Sequence, residues 1–296
     1  MGTRRPQGRA ASGERLVKEF PVFVPDGADH FGAVITVPDS EPKGLVLLLT
    51  GTGAARSHRF QLWTRVARAL SEQGLAVARL DYEGVGDSTG GIREIGLTLT
   101  QREAMAVLAF ARRAIPVDQV AVVGNCSGAI AALGVAAQTP DCIGSVCILT
   151  RLLMPSTVNR IVISRRGSRL ASFVRSNPLL HRVSQPFRGR RGKPSENVTI
   201  SFHRALGHSR LFFLYGEEDT DAYNPKVKDS LNRLLGHHSA EERARFELQV
   251  LPGGSLSGFE SLETQRLTID TVVGWLTSCF GITPDGTREP SRAAQT

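Results

Sequence analysis

Several features that define other protein classes are missing from this chain of 296 residues. No apolar run approaches the roughly 20 residues that a helix needs to cross a bilayer, so no transmembrane segment is expected. The N-terminal stretch carries arginines but no apolar region, which argues against a secretory signal peptide. The four cysteines form no C-x-x-C pair and no metal-binding spacing. This pattern favours reduced thiols in a cytoplasmic protein.

Acidic residues are almost absent from one long segment. Residues 151–210 contain thirteen Lys or Arg and a single acidic residue, Glu196, so this segment alone accounts for the net charge of +8. The segment has few aromatic residues and no nucleic-acid-binding motif, which argues against a nucleic acid as its partner. Motifs for oxygen, flavin or metal chemistry are also missing, so no cofactor is predicted.

What is present indicates a soluble α/β protein, with 41% hydrophobic and 22% charged residues. Apolar, β-branched runs alternate with amphipathic stretches, and short links join them. This order predicts a mostly parallel, doubly wound sheet with helices on both faces. The predicted strands are 16–24, 31–37, 44–50, 75–80, 120–123, 143–150, 211–215 and 246–251. The predicted helices are 60–73, 98–115, 129–138, 225–235 and 263–279.

The most informative stretch is a glycine-rich turn between the strand at 120–123 and the helix at 129–138. It contains Gly124, Asn125, Cys126, Ser127 and Gly128, a G-x-C-x-G pattern. Strand, tight turn and helix in this order predict a nucleophile elbow, in which the glycines let strand and helix approach closely. A helix N-terminus favours a thiolate, so Cys126 is the candidate nucleophile. The alternative is a cysteine that acts only as a small hydrophobic side chain.

Five stretches in a consistent order resemble the α/β-hydrolase superfamily over roughly residues 17–280. They are TGTGAARSHRFQLWTRVARAL, ARLDYEGVGDSTG, VVGNCSG, LFFLYGEEDTDAYN and the C-terminal amphipathic helix. The S-H-R, D-Y-x-G-x-G-D-S-x-G and G-x-C-x-G elements are similar to the hydrolase branch associated with exosortase systems, which also carries cysteine at the elbow. The resemblance implies a core at residues 16–150 and 211–280 and an inserted basic cap at 151–210. Residues 1–15 and 281–296 are expected to be disordered.

The resemblance also implies roles for individual residues. The backbone N–H groups of Ser127 and Thr52 are expected to form the oxyanion hole, and an ordinary strand-to-helix turn at Thr52 is the competing interpretation. Asp219 stands at the acid position, with Asp221 as the alternative, and a solvated acidic turn is the competing interpretation. The turn at residues 81–88 is interpreted as scaffold, because its aspartates and serine can bond local backbone groups.

The histidine of the catalytic triad is missing. It should follow the strand at 246–251, near Leu256 or Ser257, but no histidine occurs after His238. One explanation is that a thiolate needs no base to attack a thioester, because thiol-for-thiol exchange is nearly neutral. Otherwise His58 in the oxyanion loop is the main candidate for a substitute base. The further candidates lie in the basic segment, at His181, His203 and His208.

The predicted function is acyl transfer to or from Cys126, as an esterase, thioesterase or acyltransferase that acts on a small-molecule ester or thioester. The arginines of the cap suit an acidic acyl carrier protein or the phosphates of coenzyme A. An anionic membrane surface or a merely solvated arginine-rich face remain alternatives. A biosynthetic setting is implied by the resemblance only. A catalytically degenerate binding protein and a non-covalent isomerase or cyclase are the alternative functions.

Overall fold

The computed structural model describes residues 17–51, 53–91, 97–148, 196–219 and 223–283. One eight-stranded sheet, in the order β1-β2-β4-β3-β5-β6-β7-β8, runs through this part of the chain. The strands are β1 (Lys18–Asp26), β2 (Asp29–Val37), β3 (Leu45–Leu49), β4 (Ala76–Leu80), β5 (Val120–Asn125), β6 (Cys142–Ile148), β7 (Arg210–Gly216) and β8 (Phe246–Leu251). The helices are α1 (Leu62–Glu72), α2 (Leu97–Ala114), α3 (Ser127–Gln138), α4 (Glu196–His208), α5 (Pro225–Leu235), α6 (Ala240–Arg243) and α7 (Leu262–Cys279).

The sheet is antiparallel at one edge and parallel elsewhere. Strands β1 and β2 form a hairpin, and β2 also pairs antiparallel with β4. All the other pairings, from β4 through β3 and β5 to β8, are parallel. The predicted mostly parallel sheet is therefore confirmed. Because the carboxyl ends of parallel strands meet at one edge, the loops after β3, β4, β5, β7 and β8 converge there.

The two faces of the sheet bury separate hydrophobic clusters. Alternate residues of β3 divide between them: Leu47 packs with α2, α3 and α4 on one face, whereas Leu48 packs with α1 and α7 on the other. Every residue of β3 is buried, as expected for a parallel strand covered on both sides. Trp63 of α1 and Trp275 of α7 are both buried in the second cluster, where they pack between helix and sheet.

Helix α4 lies within the segment that the sequence assigned to the basic cap. Its residues Val198, Phe202, Ala205 and Leu206 are buried in the cluster beside α3. Their spacing of i, i+4, i+7 and i+8 is that of an amphipathic helix, a signal that the high charge of the segment obscured. The segment 196–208 therefore packs on the sheet rather than over its edge. Residues 151–195 of the predicted cap lie outside the described residues, as do the predicted disordered arm and residues 284–296 of the predicted tail.

Among the helices that the structure describes, none combines the length and the apolar run that crossing a bilayer requires.

Candidate active site

The turn after β5 has the geometry that the glycine pattern predicts. Strand β5 ends at Asn125, α3 begins at Ser127, and Cys126 lies between them with φ 55° and ψ −121°. A Cβ on Gly124 would overlap the carbonyl oxygen of Gly128, and a Cβ on Gly128 would overlap that of Thr50. Both positions therefore require glycine. The left-handed backbone at Cys126 costs on the order of 1–3 kcal/mol, and strain of this kind persists mainly where the surroundings impose it.

Cys126 is the exposed thiol of the chain, at the N-cap position of α3. Its backbone N–H donates to the carbonyl of Ile148 at 3.0 Å, which ties the turn to β6. The other three cysteines differ sharply: burial raises the pKa of the Cys142 and Cys147 thiols to about 12 and that of Cys279 to about 11. Burial thus disfavours the thiolate form at these three cysteines, and Cys126 is the one that is exposed.

The loop after β3 lies against the elbow. Gly51 is buried beside Cys126, since a Cβ placed on Gly51 would be 3.3 Å from the Cys126 Cβ. The backbone N–H of Gly51 donates to Asn125 Oδ1 at 3.0 Å. The predicted oxyanion donor Thr52 is outside the described residues, so its role stays a prediction. Ser127, the other predicted donor, is the first residue of α3, directly after Cys126.

His58 contacts Asn125, the elbow residue that precedes Cys126. Asn125 Nδ2 lies 2.9 Å from His58 Nε2. The ring packs against Trp63 and Phe259, at centroid distances of 5.5 Å and 5.4 Å. Burial lowers the pKa of His58, and the backbone of Arg59 only partly opposes this shift. Its Nδ1 is buried and makes no hydrogen bond of normal geometry with the described residues. His58 is thus near the elbow as predicted, but Nε2 is engaged by Asn125.

Asp219 lies just beyond β7 and is buried rather than solvated. Its Oδ2 accepts hydrogen bonds from the backbone N–H groups of Gly216 at 2.7 Å and Leu256 at 3.1 Å. Its Oδ1 accepts from the hydroxyl of Ser255. The hydroxyls of Ser255 and Ser257 are 2.8 Å apart. A serine therefore occupies the place beside the acid, and the carboxylate holds together the loops after β7 and β8.

His203 and His208, the other histidine candidates that the structure describes, make their contacts away from Cys126. His208 Nε2 contacts the carbonyls of Ala136 at 3.0 Å and Thr139 at 3.2 Å, at the C-terminal end of α3. Ten helical residues separate this end from the elbow, about 15 Å along the axis. His203 Nδ1 pairs with His238 Nε2 at 2.7 Å, on the outer side of α4. His181 and Asp221 lie outside the described residues.

The turn after β4 is a scaffold, as predicted. The fully buried Asp81 accepts a hydrogen bond from the backbone N–H of Arg56 at 2.6 Å and pairs with its guanidinium. The same guanidinium contacts Asp87 at 2.6 Å. Asp87 also donates its backbone N–H to Asp81 Oδ2 at 3.1 Å. Two carboxylates thereby anchor the loop that carries Gly51 and His58.

Two residues that the sequence analysis passed over, Asn125 and Ser255, are central to the site. Asn125 occupied a variable position of the G-x-C-x-G pattern, and Ser255 is one of several small residues after β8. A polar residue at the end of a buried strand is a usable signal for Asn125, because buried amides need partners. No comparable signal marks Ser255, since its partner is 36 residues away in the chain.

Comparisons with known proteins agree with this geometry. A family model described as the alpha/beta hydrolase fold matches residues 44–178. An esterase of Pyrococcus furiosus superposes with a TM-score of 0.61 at 16% identity, covering 94% of this chain and 99% of that chain. A thermostable carboxyl esterase of Bacillus coagulans has a TM-score of 0.60 at 15% identity, over 89% and 99% of the two chains.

A dienelactone hydrolase of Anabaena variabilis is also similar, with a TM-score of 0.56 at 17% identity over 88% of this chain and 98% of that chain. A search of curated proteins returned no relative of this chain. At these identities the similar structures establish the fold and leave the reaction open. The fold class predicted from the sequence is confirmed.

Proposed function

This chain has the α/β-hydrolase fold, and on that premise we propose that it transfers acyl groups through Cys126. The observation that carries the proposal is the exposed thiol of Cys126 in a strained left-handed turn at the start of α3. Activated nucleophiles need exposure and a stabilised anionic form, and a helix N-terminus supplies the second. The similar structures named as esterases and as a dienelactone hydrolase support an ester as substrate.

The proposed reaction has two steps. The Cys126 thiolate attacks the carbonyl carbon, and a C–S bond forms while the carbonyl becomes a tetrahedral oxyanion. The oxyanion collapses, the bond to the leaving thiolate or alkoxide breaks, and the leaving group takes a proton from solvent. Water or another nucleophile then attacks the acyl-cysteine, transferring the acyl group and regenerating the thiol. The backbone N–H groups of Ser127 and Thr52 are proposed to stabilise both oxyanions.

We expect thioesters to be better substrates than alkyl esters. A leaving thiolate is close in basicity to the attacking thiolate, whereas a leaving alkoxide needs a general acid. The loop after β8 has Ser255 and Ser257 where such an acid would stand. For the same reason, activation of water on the acyl-cysteine is expected to be slow, which favours transfer over hydrolysis.

The test is intact mass spectrometry after mixing the reduced protein with a short acyl thioester. Wild type should gain one acyl group, and Cys126→Ala should gain none. Cys279→Ala is the matched control, because it also removes a thiol but should still be acylated at Cys126. A wild-type protein that forms no adduct with several thioesters and esters, or an adduct that persists in Cys126→Ala, would contradict the proposal.

The finer features of the proposal concern partner and setting. We propose an acidic acyl carrier protein or coenzyme A as the acyl donor, held by the arginines at residues 151–195. A cytoplasmic location fits the four unpaired cysteines. The motif likeness to the exosortase-associated branch supports a place in surface-polysaccharide or secondary-metabolite biosynthesis, where an acyl group is passed to a further acceptor.

A second candidate function is a binding protein that has lost catalysis. It is supported by Asp219, whose oxygens are engaged by Gly216, Leu256 and Ser255 rather than by a histidine. In that case Cys126 would be inert towards thioesters while the protein still bound an anionic partner. An isomerase or cyclase would turn over substrate without an adduct. The adduct experiment separates both from the acyl-transfer proposal.

A further inference from the structure

The side chain of Asn125 joins the elbow to two points on the loop after β3. Its Oδ1 accepts the backbone N–H of Gly51, and its Nδ2 faces His58 Nε2. Asn125 is itself buried, at 5% exposure, and directly precedes Cys126. An amide in this position can hold the loop after β3 against the elbow.

The orientation of the Asn125 amide follows from its partners. A backbone N–H can only donate, so the atom that faces Gly51 must be the amide oxygen. The NH₂ group then faces His58, and because that group can only donate, His58 Nε2 must accept with its lone pair. His58 is therefore neutral, with its proton on Nδ1. This assignment agrees with the buried, apolar surroundings of the ring between Trp63 and Phe259.

This arrangement conflicts with a role for His58 as the base. The lone pair that would take the proton of Cys126 is already bound to Asn125. If Nε2 were protonated, its N–H would face the NH₂ group of Asn125, and two donors cannot bond to each other. The Asn125 amide would then lose the contact that orients its oxygen towards Gly51. Among the groups that act on His58, Arg59 carries a charge, and Asn125, Trp63 and Phe259 are uncharged.

The loop held in this way is strained. His58, Phe60 and Gln61 all have left-handed backbones, with φ of 60°, 53° and 54°. Such conformations persist in non-glycine residues where contacts over-determine them. The contact from Asn125 to His58 is one of these, and it lies at the residue where the strained stretch begins.

We propose that Asn125 and neutral His58 are positioning residues, which act through Gly51 to hold the loop after β3 at Cys126. Asn125 supplies both hydrogen bonds, and His58 supplies the acceptor that keeps the amide in its orientation. Neither residue exchanges a proton with the substrate. The kinetic part of this inference rests on the proposed acyl transfer, whereas the hydrogen-bond assignment does not.

The assignment is tested by ¹⁵N NMR of the histidine side chains in the wild-type protein. The His58 signals are identified by their loss in His58→Gln. At neutral pH the ring should be the neutral Nδ1–H tautomer. Asn125→Asp should shift it to the Nε2–H tautomer or to the cation, because a carboxylate only accepts. A wild-type ring that is charged or protonated at Nε2 overturns the proposal, and this result needs no substrate.

The kinetic test measures the rate of acyl-Cys126 formation. His58→Leu and Asn125→Leu should each slow acylation by about 10- to 100-fold, the effect expected of a misplaced reacting group. His58→Gln should recover at least about tenfold over His58→Leu, because its amide oxygen can still accept from Asn125. Its pH–rate profile should keep the wild-type shape.

Two results would overturn the positioning role. In the first, His58→Gln forms acyl-Cys126 as slowly as His58→Leu, and its pH–rate profile loses an inflection that wild type shows. This result would identify His58 as a base. The other is wild-type acylation in both leucine variants. Circular dichroism and thermal unfolding identify any variant that fails to fold, and the NMR result on wild type stands in that case. If wild type forms no acyl adduct at all, the proposed function is wrong. The tautomer of His58 measured by NMR still tests the hydrogen-bond assignment in that case.

Discussion

The absence of a Cβ at Gly124 and Gly128 determines the backbone geometry around Cys126. Gly124 and Gly128 bring β5, α3 and the end of β3 into direct backbone contact. The cysteine between them can then project from the turn into solvent. The Cys126 thiol is exposed, whereas burial raises the pKa of the Cys142, Cys147 and Cys279 thiols.

The first prediction at the residue scale concerns Gly128. Gly128→Ala should lower the free energy of unfolding by about 1–3 kcal/mol, because the new methyl group meets the carbonyls of Leu49 and Thr50. Gly274→Ala is the matched control on an exposed position of α7 with open space around it, and it should gain about 0.5–1 kcal/mol. Urea denaturation measures both values. Equal effects of the two substitutions would show that Gly128 is not tightly packed.

A second residue-scale prediction concerns the pH dependence of stability. Burial lowers the pKa of His58 below its ordinary 6.5 in the folded protein. The unfolded chain therefore binds more protons below that pH, and the contribution of His58 is complete above about pH 6.5 and is lost as the pH falls towards the folded pKa. His58→Gln should lose less stability than wild type between about pH 7 and pH 5. If the free energy of unfolding of the two proteins falls equally with pH over this range, the prediction is wrong.

At the scale of elements, one buried carboxylate joins the ends of two neighbouring strands. Strands β7 and β8 are parallel neighbours, and the loops that follow them are linked through Asp219. Glu217 supports the same link, since it accepts the backbone N–H of Gly253 at 3.3 Å. Asp219, the predicted acid, therefore links these two loops through its hydrogen bonds.

The element-scale prediction separates the hydrogen-bond geometry of Asp219 from its charge. Asp219→Ala should lower the free energy of unfolding by about 2 kcal/mol or more, because the buried N–H groups of Gly216 and Leu256 lose their acceptor. Asp219→Asn should lose less, because its carbonyl oxygen can still accept both bonds. Chemical denaturation of the two variants gives the order. If Asp219→Asn is as unstable as Asp219→Ala, the charge and not the acceptor geometry holds the loops.

At the scale of the whole molecule, positive charge is concentrated in one segment. The fold places the end of β6, where this segment begins, beside the elbow at Cys126, since β5 and β6 pair up to Asn125 and Ile148. A basic segment that starts there is connected directly to the proposed site. This connection is the reason to expect that the charge serves substrate or partner binding.

The whole-molecule prediction is that binding of an acyl-CoA or an acidic carrier protein weakens with salt. Screening at about 0.3 M salt should lower the affinity several-fold relative to about 0.05 M. Replacing Arg188, Arg190 and Arg191 by glutamate should weaken binding further, whereas lysine at the same positions should retain most of it because the charge stays. Calorimetry or fluorescence anisotropy gives the dissociation constants. An affinity that ignores both salt and the glutamate substitutions would rule out a basic docking segment.

Local pattern was sufficient for most of the fold. The alternation of apolar runs and amphipathic stretches predicted all eight strands and five of the helices, because hydrophobic periodicity can be recognised within a short stretch of sequence. The glycine spacing around Cys126 predicted the elbow for the same reason. Helix α4 was not predicted, because the positive charge of its segment favoured an exposed cap. Its apolar residues nevertheless have helical spacing, at Val198, Phe202, Ala205 and Leu206.

The sheet, its two helical layers and the cysteine at the turn between β5 and α3 could all be predicted from the amino-acid sequence. The surroundings of that cysteine depend on tertiary contacts between distant segments. Asn125 meets Gly51 across 74 residues and His58 across 67, and Asp219 meets Ser255 across 36. Contacts of this kind depend on which loops converge at the carboxyl edge of the sheet. Secondary-structure periodicity repeats within a few residues, whereas the partner of a buried polar group is set by the packing of distant segments.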